Sequence, residues 1–232
     1  VGNEQNHHFK VLFEILDQLK LIEKSKLKHL SYGMVELPEG KMKSREGTVV
    51  DADNLIDNLQ EKIKKDLKKR SKISKKNLEE KSLKITLAAI KYLLLKVDLK
   101  KNTIFNPKKS ISTEGDTGPY LQYSYARASS ILRKKTKEKF SILPEKLEEK
   151  EKELITKLSN FKQIIQESYS HMNPALVANY SYELCQIFNE FYHKCKVLGS
   201  EQEGFRLELI KTFRQILKNS LYLLGIETLE EM

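Results

Sequence analysis

Two lysines, an arginine and a serine crowd into the stretch GKMKSREG, between Gly40 and Gly47. Lys41, Lys43 and Arg45 repel one another at this spacing, so the arrangement is tolerable only where water or an anion offsets the charge. A polyphosphate meets that need; a solvated surface loop is the competing reading. A second stretch, EGDTGPYLQYSYARASSILRK over 114–134, places Tyr120 and Tyr123 on one helical face with Arg127 a turn further on. Flat rings beside a cation can stack unpaired bases and meet phosphate. Tyrosines at helical spacing also serve as plain core.

The elements that must carry these residues follow from periodicity. Phe9, Leu12, Phe13, Leu16 and Leu19 predict an amphipathic helix running into the lysine-rich KSKLKH. LSYGMVEL then reads as a buried strand, stopped by Pro38 and Gly40 before the basic loop. Beyond the loop, TVVDADNLIDNL opens a capped helix with a stripe of Ile56, Leu59, Ile63 and Leu67. The next helix carries Leu83, Leu87, Ile90 and Leu94 on one face. Between them KKDLKKRSKISKKN is a solvated face or connector, with an RNA-backbone contact as the minority reading.

VDLKKNTIFNPKKS breaks the helical period and predicts a strand or extended link, which places a domain boundary near residue 108. Four helices are expected after it, from Gly118 to about Lys139, Pro144 to about Tyr169, Asn173 to about Cys195, and Glu201 to about Leu224. Asp116 or Thr117 can cap the first, and Asn173 followed by Pro174 opens the third. Gly225 suits a left-handed cap on the fourth. Recurring stripes of Leu176, Tyr180, Leu184, Ile187, Phe191 and of Phe205, Ile210, Phe213, Leu217, Leu221 make this half a helical bundle.

Composition narrows the classes. A 232-residue chain that is 39% hydrophobic can bury a core, and a net charge of +10 favours an anionic partner. Lys+Arg 42 against Asp+Glu 32 puts most charges in mixed helical faces, so nucleic acid is favoured without being required. Cys185 and Cys195 fall on one helix, roughly 15 Å apart along its axis, too far to pair. Reduced thiols in a cytoplasmic protein are the default, and His193 beside Cys195 is too little for a zinc site, so no metal is expected. LAAIKYLLLKV is interrupted by lysines and too short to span a bilayer, and no secretory signal opens the sequence.

The two chemistry-bearing stretches together resemble signature segments of the arginyl-tRNA synthetases, class I aminoacyl-tRNA ligases, in that family's order and approximate separation. VGNEQNHHFKVLFEIL with LSYGMV, and NPALVANYSYELCQIFNEFYHKCKVLG with LLGIETLEEM, are similar to the same family's late catalytic and C-terminal regions, so the resemblance covers essentially the whole chain. It implies a mainly α fold: the C-terminal end of a class I nucleotide-binding α/β catalytic domain over 1–108, then an all-α anticodon-binding bundle over 109–232.

What the resemblance implies maps residue by residue. Gly40, Lys41, Met42, Lys43, Ser44 and Arg45 look like the KMSKS signature, which closes over ATP while the arginine carboxylate attacks the α-phosphate. Preorganised ammonium groups there stabilise charge on the departing pyrophosphate. Lys41, Lys43, Ser44 and Arg45 are the candidate catalytic residues. Lys43 stands where the signature has serine, and either replaces the missing second lysine or points into solvent. Tyr120, Tyr123, Tyr192 and Met232 match the family's anticodon-contacting places, with Gln122 and Arg127 as weaker polar candidates. The implied partners are arginine tRNA, ATP with its Mg2+, and arginine. A monomer, no membrane and no tightly bound cofactor are expected.

One departure matters. The class I HIGH signature and an arginine pocket do not occur in these residues, and the sequence opens without methionine inside an apparent structural unit. The expectation is a piece of a longer enzyme, inactive alone. The alternative is a catalytically silent helical RNA-binding or scaffold module related to synthetase C-termini.

Overall fold

The computed structural model describes residues 1–36, 51–70, 74–104, 106–134 and 144–232. The expected ATP loop, Gly40 to Arg45, lies outside the described residues, as does the predicted helix beyond Lys134. Two compact units emerge: one from 1–50 with 97–106, the other from 51–96 with 107–232.

In the first unit α1 (Asn6–Gln18) follows a short 3-10 turn. It ends before the lysine-rich segment: Lys20 turns left-handed at φ 54°, and the Leu21 amide donates back to the Leu16 carbonyl at 3.1 Å. Phe9 stacks on His29 with ring centres 4.1 Å apart, whereas Leu12 and Leu19 of the predicted stripe are exposed. The expected buried strand shrinks to β1 (Val35–Glu36), paired in parallel with β2 (Thr103–Ile104). β1 has a single partner strand among the described residues, so its side chains are only half-buried. Gly33 approaches the Lys101 backbone so closely that a Cβ would sit 2.3 Å from its carbonyl oxygen.

The second unit is helical. α2 (Ala52–Arg70) begins where the Asp51 carboxylate accepts from the amides of Asp53 and Asn54 at 2.8 and 3.2 Å. Leu59, Ile63 and Leu67 of its predicted stripe are buried. α3 (Lys75–Leu95) is capped by Ser74 and packs on both α2 and α5 (Gly118–Arg133). Its predicted face is corrected: Leu83 and Leu94 are exposed, while Leu78, Ser82, Ile85, Thr86, Ala88, Ala89 and Tyr92 are buried. The reason is close approach. A Cβ on Gly118 would lie 2.1 Å from the Ala88 carbonyl oxygen, so the crossing demands small residues that hydropathy spacing passes over. These contacts group 51–96 with the bundle, across the boundary placed near 108.

After the helical turn α4 (Pro107–Ser110), Thr117 caps α5 by accepting from the Tyr120 amide at 3.2 Å. Asp116 is used differently, accepting from the Tyr92 hydroxyl and pairing with Lys96 at 2.8 Å. The single helix expected from Pro144 to about Tyr169 is two, α6 (Glu149–Ser159) and α7 (Phe161–His171), broken at Asn160. α8 (Ala175–Lys194) starts with Asn173 accepting from the Ala175 amide at 3.1 Å. α9 (Glu203–Leu223) ends in a Schellman turn at Gly225, φ 66°, with the Ile226 amide on the Leu221 carbonyl and the Gly225 amide on the Tyr222 carbonyl. Phe188 and Phe213 stack at 3.8 Å in the core between α8 and α9.

Candidate nucleic-acid interface

Tyr120, Tyr123 and Arg127 occupy successive turns of α5 because their spacing of three and four keeps them on one side of the helix. α8 packs alongside and brings up Asn189 and Tyr192 one turn apart. The Arg127 guanidinium sits 4.8 Å from the Tyr123 ring centre and 5.8 Å from that of Tyr192. Arg127 also donates to the Tyr123 hydroxyl at 3.0 Å and to the Asn189 Oδ1 at 2.5 Å. Both tyrosines remain open to solvent, 36% and 39% exposed.

These side chains wall a groove of about 560 Å³, shared with Arg133, Lys134, Lys196 and Met232. Glu231 is the acid that reaches it, lying 3.4 Å from Arg133. The groove thus offers aromatic faces with a surplus of cations, which suits unpaired bases and their phosphates. Met232 belongs to its wall while also packing against the small core of Ile63, Leu67, Leu78, Ile85 and Leu229.

Two predicted contacts point elsewhere. Tyr120 is half-buried, edge-on to Tyr182 at 5.7 Å, and its hydroxyl accepts from Asn189 at 2.8 Å. Gln122 is fully buried; its Nε2 donates to the carbonyls of Lys84 at 3.3 Å and Glu227 at 2.7 Å, tying α3 to the tail after α9. Gln122 therefore holds the fold and presents nothing to a ligand, because its opposite neighbours on α5 take the open face. Spacing did not single out Asn189, Arg133, Lys134 or Lys196; charge at the end of α5 was the available signal for Arg133 and Lys134.

A separate cluster joins Glu148, Glu151 and Cys195, whose ligand atoms lie within 4.8 Å of one another. Arg206 already fills it, donating from Nε to Glu151 at 2.8 Å and from Nη2 to Glu148 at 2.5 Å. Burial pushes the Cys195 thiol up to about 11, which keeps it neutral. The cluster is an ion-pair network.

Comparison with known proteins places both parts of the chain in one kind of enzyme. Residues 1–107 match the class I tRNA synthetase (R) catalytic domain, and residues 121–232 match the DALR anticodon binding domain. The arginine–tRNA ligases of Flavobacterium psychrophilum and Phocaeicola vulgatus are each 46% identical to the chain across its whole length. This chain belongs to the arginyl-tRNA synthetase family. It spans 40% of the length of those two relatives. The Thermus thermophilus arginyl-tRNA synthetase structure superposes with a TM-score of 0.81 at 28% identity, over 90% of this chain and 36% of that one. The Plasmodium falciparum structure gives 0.82 at 28%, over 100% and 40%. The groove on α5 and α8 therefore lies within the segment that matches the anticodon binding domain. No described helix is long and apolar enough to cross a membrane.

Proposed function

We propose that the chain is the ATP-loop and anticodon-binding portion of an enzyme that activates arginine with ATP and esterifies it to arginine tRNA. The observation that carries this reading is the convergence of Tyr123, Arg127 and Tyr192 from two helices onto one cationic groove. Unpaired anticodon bases stack on the outer faces of the two tyrosines, while Arg127, Lys196 and their neighbours draw in the backbone. Met232 contributes to the groove wall.

In the catalytic half, Lys41 to Arg45 meet the ATP phosphates, and Lys41 stabilises charge on the leaving pyrophosphate. Magnesium travels with the ATP, and no residue of this chain is assigned to it. The setting is cytoplasmic, and the working unit a monomer.

The binding reading is tested by titrating the 232-residue chain with a fluorescent anticodon stem-loop of arginine tRNA at several salt concentrations. Tyr123→Ala should weaken binding by about 1–3 kcal/mol, the worth of one base–aromatic stack, and leave the salt slope nearly unchanged. Arg127→Ala should flatten that slope. Wild-type binding by a folded Tyr123→Ala variant would remove the stacking role.

A further inference from the structure

We infer that Asn189 is a positioning residue that sets the Arg127 guanidinium before RNA arrives, an inference that rests on reading the α5–α8 groove as the RNA interface. Asn189 joins the buried side of α5 to its open side. Its Nδ2 donates inward to the Tyr120 hydroxyl at 2.8 Å and toward the buried Ser124 hydroxyl at 3.3 Å. Its Oδ1 accepts outward from Arg127 Nη1 at 2.5 Å. Arginine has donors only, so it can be held solely by the oxygen side of the amide. The two hydroxyls, able to accept, then take the nitrogen side and pin the amide plane.

The second anchor is the Tyr123 hydroxyl on Arg127 Nη2, at 3.0 Å. Two anchored nitrogens fix one axis of the rigid planar fork, and the Tyr123 ring against its face, with Tyr192 beyond, restrains rotation about that axis. A long, rotamer-rich side chain is thereby ordered in the free protein, and binding need not bear that ordering cost. Asn189 itself need touch no nucleotide. Its contribution to RNA affinity passes through Arg127.

A double-mutant cycle tests this with the arginine anticodon stem-loop as probe and circular dichroism to confirm folding. Asn189→Ala should weaken binding about three- to tenfold, the scale of losing one preordered side chain, and should weaken it no further when Arg127 is already alanine. Tyr120→Phe, which removes only the inner hydroxyl, should give a smaller loss that also vanishes in the Arg127→Ala background. Equal losses with and without Arg127, or wild-type binding by folded Asn189→Ala, would overturn the positioning role and leave the interface reading intact. If Asn189→Ala does not fold, Tyr120→Phe decides: wild-type binding by that variant overturns the role. If Arg127→Ala itself binds like wild type, the interface reading falls and this inference falls with it.

Discussion

Arg206 is 5% exposed and Glu151 fully buried, yet both are charged in pattern and position. The pair is tolerable because every side of the guanidinium is used: Glu151, Glu148, Gln202 at 2.9 Å and the Lys196 carbonyl at 2.8 Å. Glu151 in turn accepts from the Glu148 amide at 2.8 Å at the start of α6. Arg206→Met should cost about 3–5 kcal/mol by stranding a buried carboxylate, and adding Glu151→Gln should recover part of it, measured by urea unfolding. A single-variant loss within the error of the urea-unfolding measurement would contradict the account. None of this was legible beforehand, because Glu151 and Arg206 are 55 positions apart and carry no motif. The open-face residues Tyr123 and Arg127 were legible, since spacing of four on one helix is enough to bring them together.

At the scale of elements, the stripes on α8 and α9 were readable because large apolar side chains carry them: Tyr180, Leu184 and Phe191, Phe213, Leu217 and Leu221 are all buried. α3 was misread because Ala88, Ala89 and Ser82 mark a close crossing, a signal of size and not of hydropathy. The break between α6 and α7 was hidden for another reason. Leu154, Leu158, Phe161 and Ile165 continue a helical spacing straight through Asn160, so periodicity alone reads one helix. α7 ends at Met172, left-handed at φ 50°, with the Asn173 amide on the Ser168 carbonyl at 2.9 Å and the Met172 amide on Tyr169 at 3.1 Å. This is a Schellman turn with a side chain where glycine is preferred. Met172→Gly should raise stability by about 1 kcal/mol, visible as a higher Tm, because the left-handed conformation penalises a Cβ. A lower Tm would show that Met172 contributes packing that outweighs the strain.

For the whole molecule, the proposed function divides the work of binding between net charge and aromatic placement. A charge of +10 attracts any RNA, and that attraction weakens as salt rises, whereas base stacking on Tyr123 and Tyr192 requires unpaired nucleotides and is far less salt-dependent. Composition pointed to the charge and helical spacing to Tyr123 beside Arg127, whereas spacing could not pair Tyr192 with them, because it reaches Arg127 across 65 positions of chain through the packing of α8 on α5. The most direct measurement compares the arginine anticodon stem-loop with a fully paired RNA duplex of the same nucleotide count, titrated against the wild-type chain over a salt series. Stacking of one or two loop bases predicts a preference for the stem-loop of about tenfold or more. That ratio should persist while both affinities fall with salt. Equal affinities with matching salt slopes would contradict the account, because they would leave the groove's tyrosines with no base to hold.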